Sequence, residues 1–144
     1  MARTTVRRTI AAPAHVVFEA ISDPGRFSKA VPDIVRVEIV SEVTSGVGTR
    51  FRETRLMHGK EATTELEVTE YVENERIRIV ADSHGTLWDS VFTLKPAGGK
   101  TGLELAMDAK PHGIMSKIAT PLMKGMLKKA LERDMDAVKA YCEK

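Results

Sequence analysis

The sequence predicts an α+β fold in which one long antiparallel sheet is set against one long helix, and three observations carry that prediction. Nearly everything between residues 34 and 109 reads as consecutive strands. The segment 111–144 holds the only long helical pattern, and just a short helical pair stands near the N-terminus. Such a layout can wrap an internal pocket.

Val6 and Ile10 alternate with polar residues across 4–10, which predicts the first strand, and Ala11-Ala12-Pro13 breaks it. Pro13 suits the first turn of a helix whose apolar face is Val16, Val17, Ala20 and Ile21 and whose stop is Ser22-Asp23-Pro24. A second short helix covers 25–30 before Pro32. The next strand is 35–43, closed by the loop 44–48 with its two glycines.

The central hairpins test themselves, because directly opposed residues of an antiparallel pair share a face. With Gly59-Lys60 as a two-residue turn, Phe51 opposes Val68, Glu53 opposes Leu66 and Arg55 opposes Thr64 on one face. Arg52 then opposes Glu67, and Thr54 opposes Glu65, on the other. With Gly98-Gly99 as the turn, Phe92 opposes Leu105 and Leu94 opposes Leu103, while Thr93 opposes Glu104. The two turns sort the residues consistently: Phe51, Leu66, Val68, Ile77, Ile79, Trp88, Phe92, Leu94, Leu103, Leu105 and Met107 form an apolar face, and the opposite face is charged.

In the last segment Ile114, Ile118, Leu122, Met126, Leu127, Leu131, Met135 and Val138 recur at three- and four-residue spacing, one wide stripe that needs the sheet's apolar face. Pro121 either kinks this helix or opens a second one with Thr120 as N-cap.

The chain has 144 residues, 42% of them hydrophobic, which fits one domain over 1–144 with a real core. Its 22 basic and 20 acidic residues are spread along the length, so no strong field for nucleic acid arises. No apolar run follows Met1 and none approaches the ~20 residues of a spanning helix, so a cytoplasmic protein without stable membrane insertion is expected. Cys142 is the single cysteine, which excludes an intrachain disulfide; a buried or incidental thiol is its simplest reading.

The order strand, two short helices, six strands and long helix, together with Val6-Arg7-Arg8-Thr9-Ile10-Ala11-Ala12-Pro13-Ala14-His15-Val16-Val17-Phe18 and Gly46-Val47-Gly48-Thr49-Arg50-Phe51, resembles the SRPBCC superfamily over the whole chain. These are the polyketide cyclase/dehydrase-like, START-related proteins. The resemblance implies a helix-grip fold: a seven-stranded antiparallel sheet curled around the C-terminal helix, with a cavity for an apolar or amphipathic small molecule. Binders of lipids, sterols and hormones and aromatase/cyclases share it, so the fold alone does not choose a chemistry.

Glu53 and Arg55 are the most pointed residues, since both fall on the apolar face, where an unpaired charge is costly. They pair with each other or with a ligand. In the functional reading Arg55 anchors a carboxylate or carbonyl oxygen and Glu53 accepts a hydroxyl or serves as acid or base; in the bland one the strand bends them into solvent at the cavity mouth. Thr64 and Ser90 offer single hydrogen bonds, and Trp88 offers a flat ring surface or core filling. Met107, Met115, Met123, Met126 and Met135 suit an adaptable wall or a filled core.

The candidate ligand-binding residues are therefore Phe51, Glu53, Arg55, Thr64, Leu66, Ile79, Trp88, Ser90, Phe92 and Met107 from the sheet, with Ile118, Leu122 and Met126 from the helix. His15, His58, His84 and His112 lack short ligand spacing, so no metal is expected. No G-x-S-x-G motif occurs, and Gly46-x-Gly48 lacks a third glycine, so neither hydrolysis nor a dinucleotide cofactor is supported. Lys117, Lys124, Lys128, Lys129 and Arg133, flanked by Glu132, Asp134 and Asp136, read as a solvated helix face.

The expected partner is a hydrophobic small molecule. No cofactor is expected, and a homo-oligomer is not indicated. A cyclase or dehydratase using Glu53 and Arg55, and a protein-interaction module with a closed core, are the alternatives.

Overall fold

In the computed structural model the chain runs β1 (Ala2–Ile10), α1 (Ala14–Ser22), α2 (Pro24–Ala30), β2 (Ile34–Ile39), β3 (Arg50–Met57), β4 (Lys60–Val72), β5 (Arg76–Ser83), β6 (Thr86–Ala97), β7 (Lys100–Pro111) and α3 (Ile114–Cys142). The structure describes residues 2–83, 85–112 and 114–144, with the side chains of 2 and 114–124 outside that description. The strands form one seven-stranded sheet in the order β1-β7-β6-β5-β4-β3-β2, every neighbouring pair antiparallel. This is the helix-grip arrangement, and α3 runs through Pro121 as one helix.

Three local expectations need correction. The β3–β4 turn is His58-Gly59, not Gly59-Lys60, with φ of 53° and 78°. Two positive φ values match the strand twist of a type I′ hairpin, and histidine tolerates that region better than most residues. Phe51 accordingly opposes Leu66, Glu53 opposes Thr64 and Arg55 opposes Ala62. Because the slip relative to the expected register is two residues, an even number, every side chain keeps its face.

The second strand stops at Ile39 instead of 43. Ser41 Oγ accepts from the Arg50 N–H at 2.8 Å and donates to the Val43 carbonyl at 2.6 Å, replacing ladder bonds with a side-chain turn. Pro13 is the N-cap of α1, with extended backbone, and not its first helical residue. The Gly98-Gly99 hairpin has the expected register, Phe92 opposite Leu105 and Leu94 opposite Leu103.

A bulge between Val68 and Glu70 shifts the phase of β4, so that Val68 and then Tyr71 face inward. Tyr71 meets Phe18 of α1 edge to face, with ring centroids 5.1 Å apart. The core itself lies toward the α1 end, where Ile10, Val17, Ile77, Leu103, Met135 and Val138 are almost free of solvent. There α3 is also tied to β1: Lys139 Nζ donates to the Thr9 carbonyl at 2.8 Å, and the Ala11 N–H donates to Glu143 Oε2 at 2.7 Å.

The outer face of the sheet carries charge in ladders. Arg78 forks onto Asp89 through Nε (2.8 Å) and Nη2 (2.6 Å), with Lys110 3.5 Å away from the same carboxylate. These hydrogen bonds hold the Asp89 carboxyl below the usual carboxylate range against the opposing effect of its burial. A depressed carboxyl contributes stability above its unfolded pKa and loses it as pH falls through the folded value. Asp89→Asn should therefore cost about 1–2 kcal/mol at about pH 7, discounted for the partly solvated guanidinium. The difference from wild type should close in acid, as read from urea melts across pH.

Candidate functional site

Between the concave sheet face and α3 lies a cavity of about 450 Å³. Its wall follows from the register. Ala81 opposes Trp88, Ile79 opposes Ser90, and Ser90 opposes Met107, so small side chains alternate with large ones across β5, β6 and β7. Ala62, Thr64 and Ser83 add further small positions, and Ala130 does so from α3. Where the facing positions are small, the helix and sheet do not fill the space between them. Leu66, Ile79, Trp88 and Met107 consequently stay half-buried although they point inward. Ile21, Pro24 and Phe27 of the helical pair and Leu127, Leu131 and Met135 of α3 complete the lining.

Of the residues expected to meet a ligand, Phe51, Glu53, Arg55, Thr64 and Leu66 line this cavity from β3 and β4, and Ile79, Trp88, Ser90, Phe92 and Met107 line it from β5, β6 and β7. Met126 does not: it is 63% exposed, on a side of α3 turned away from the lining. The reason is helical phase. Leu127, Leu131, Met135 and Val138 set the inward direction, and Met126 precedes the first of them by about 100° of helix rotation. Ile118 and Leu122 lie outside the described side chains, as do Met115, Met123, Lys117, Lys124 and His84.

Glu53 and Arg55 are partly buried, with the Arg55 side chain 24% exposed, and they do not stand as an isolated pair. Arg55 Nε donates to Glu53 Oε1 at 2.5 Å, and its Nη1 sits 3.0 Å from Asp134 Oδ2 on α3. The side chains of Glu53 and Asp134 are 12% and 14% exposed. Asp134 is the charged cavity-lining residue that the sequence reading missed, placed there on a solvated face with Glu132 and Asp136. A signal was present: Asp134 stands seven residues after Leu127 and three after Leu131, on the stripe that faces the sheet.

This end of the cavity has two carboxylates around one guanidinium. Burial works against the Arg55 charge, yet Glu53 and then Asp134 more than offset it and raise its pKa, so Arg55 stays a cation. The Asp134 carboxyl is also raised, chiefly by burial, with Arg55 opposing and Glu53 and Asp33 adding like charge. Among the described residues no group of three or more His, Cys, Asp or Glu side chains could hold a metal ion. Burial with the nearby Glu143 pushes the Cys142 thiol up to about 11, which leaves it a poor nucleophile.

A family model described as polyketide cyclase / dehydrase and lipid transport matches residues 1–143. Solved structures are similar over nearly the whole chain. A START superfamily protein from Mycobacterium smegmatis has 19% identity, covers 98% of this chain and 97% of that one, and has a TM-score of 0.81. A protein from Thermus thermophilus gives 17%, 98%, 97% and 0.80 in the same order. The di-domain ARO/CYC protein of the steffimycin biosynthetic pathway, at 12% identity, matches 98% of this chain with half of its own length and a TM-score of 0.79. No curated protein matches the sequence significantly.

A carboxyl whose folded pKa is raised favours folding below its unfolded pKa, and that contribution is lost as pH rises through the folded value. Asp134→Asn is therefore expected to match or exceed wild-type stability at about pH 7, with the advantage disappearing in acid. Arg55→Met leaves two buried carboxylates facing each other and should cost about 3–5 kcal/mol at about pH 7, a loss that shrinks as they protonate. Chemical denaturation of both variants at several pH values checks the pair of signs.

Proposed function

The chain belongs to the polyketide cyclase / dehydrase and lipid transport family, and from that premise we propose that it binds a hydrophobic or amphipathic small molecule between the sheet and α3. The observation that carries this reading is the hollow of about 450 Å³ walled by half-buried apolar side chains. A stable core closes such a space, whereas a small-molecule site keeps it and adds a few convergent polar groups. Leu66, Ile79, Trp88, Phe92 and Met107 supply apolar contact in this reading, and Thr64, Ser90 and the charged group at Arg55 supply orientation. Among the described residues no helix is long and apolar enough to cross a membrane. A module with a closed core is the reading that this hollow favours least.

A second reading, a cyclase or dehydratase, is favoured by the ionisable groups inside the cavity. Glu53 or Asp134 would accept a proton from carbon next to a carbonyl, and the cavity walls would hold a poly-carbonyl chain in a folded shape. The binding and catalytic readings separate in Glu53→Gln: unchanged affinity with lost turnover of a synthetic poly-β-carbonyl compound supports catalysis, and unchanged behaviour of both kinds removes Glu53 from the site.

Native mass spectrometry of freshly purified protein tests the binding reading directly. A defined adduct that dissociates on denaturation is expected. Ser90→Phe, which places a ring in the hollow, should abolish it while the melting temperature is maintained. Retention of the adduct in a folded Ser90→Phe protein would place the ligand elsewhere.

A further inference from the structure

The charged end of the cavity narrows the class of ligand, and this inference rests on the binding reading above. Among the described residues Arg55 is the one cation within ion-pair distance of Glu53 or Asp134, and it meets both. With both carboxylates ionised the group carries an excess negative charge in a mostly apolar wall. Asp33, in the turn before β2, adds to the negative field at Asp134, and among the described residues its ion-pair partner is the exposed Arg133 at 3.9 Å.

Arg55 gives Nε to Glu53 and Nη1 to Asp134, so the charge expected to anchor an anionic head is already offset by two protein carboxylates, while Nη2 has no bond to another described residue. Glu53, by contrast, is bonded through Oε1 alone among the described residues, which leaves Oε2 as an acceptor in the cavity lining. An ionised carboxylate accepts hydrogen bonds and donates none. This end therefore offers an open carboxylate oxygen beside guanidinium N–H groups, a setting that suits a group able both to donate and to accept.

We infer that the cavity selects an uncharged, largely apolar molecule whose polar end is a hydroxyl, held by donation to Glu53 Oε2 or Asp134, and that it discriminates against the matching carboxylate. A hydroxyl donates to the open carboxylate oxygen and accepts from a guanidinium N–H in return. An ether of the same shape can only accept. A carboxylate brings a third negative charge beside two others and loses its own hydration on entry.

The test uses the full-length protein and Nile red, an uncharged dye with no hydrogen-bond donor, displaced by para-hydroxybiphenyl, para-methoxybiphenyl and biphenyl-para-carboxylate at about pH 7. These competitors share one skeleton and differ at the polar end. The hydroxyl compound should displace the dye at a concentration at least about tenfold below that of the carboxylate, the worth of one charge-assisted hydrogen bond, with the ether between them. Asp134→Asn and Glu53→Gln, both isosteric, should each narrow that gap. Dye binding with the carboxylate equal to or tighter than the hydroxyl compound would overturn the inference and leave the cavity reading standing. The same holds if the ether equals the hydroxyl compound, or if none of the three competes. Failure of Nile red itself to bind would overturn both.

Discussion

One apolar sheet face must be kept from water, and only one long helix is available to cover it. Seven strands that alternate apolar and charged residues produce a concave surface much wider than the stripe of α3. The helix settles where the fit is best, along β1 and the α1 end, where Met135 and Val138 are buried against Ile10, Val17 and Leu103. Elsewhere the described side chains leave the same face open, and the hollow is the space they do not fill. One surface thus has two different ends: a filled end that forms the core, and an end that keeps a hollow.

The Glu53–Arg55–Asp134 group sits at the boundary between those ends. It links β3 to α3 across the cavity, through a pairing that has to offset the desolvation of three charges. Two anions around one cation is a poor arrangement for stability, because like-charge repulsion between the carboxylates remains after the arginine is shared. Residues that serve only to hold helix to sheet would be apolar at these positions, as Leu131 and Met135 are on the neighbouring turn. In the reading proposed above, a charged group present where an apolar one would pack better is directed at the cavity. The outer sheet face offers the contrast. Asp89 is also well buried, but Arg78 and Lys110 give it two cations, and its carboxyl is lowered where that of Asp134 is raised.

Much of this was legible in the chain. The sorting of Phe51, Leu66, Ile79, Trp88 and Phe92 onto one face survived a misplaced turn, because a two-residue slip preserves the side on which each residue points. Local hydrogen bonding was not legible in the same way. The early end of β2 depends on the Ser41 hydroxyl finding Arg50 and Val43, and the phase change in β4 depends on one extra residue near Thr69. Neither leaves a mark on hydrophobic periodicity. Asp134 was missed for a related reason: flanked by Glu132 and Asp136, it has the look of a solvated run, although helical phase sets it apart from both.

Period-two and helical patterning, two glycine-containing turns and one resemblance were enough to determine the fold class, the apolar face and the strand carrying Glu53 and Arg55. These follow from interactions between residues close in sequence or paired through a hairpin, which a linear pattern records. The cavity, and the partner that completes its charged end, were decided only in three dimensions. Whether opposing walls meet depends on the summed sizes of Ala81, Ser90, Ala130 and their neighbours on separate elements. Asp134 reaches Arg55 across 79 residues of chain, a pairing set by where α3 docks and not by any local preference of either segment.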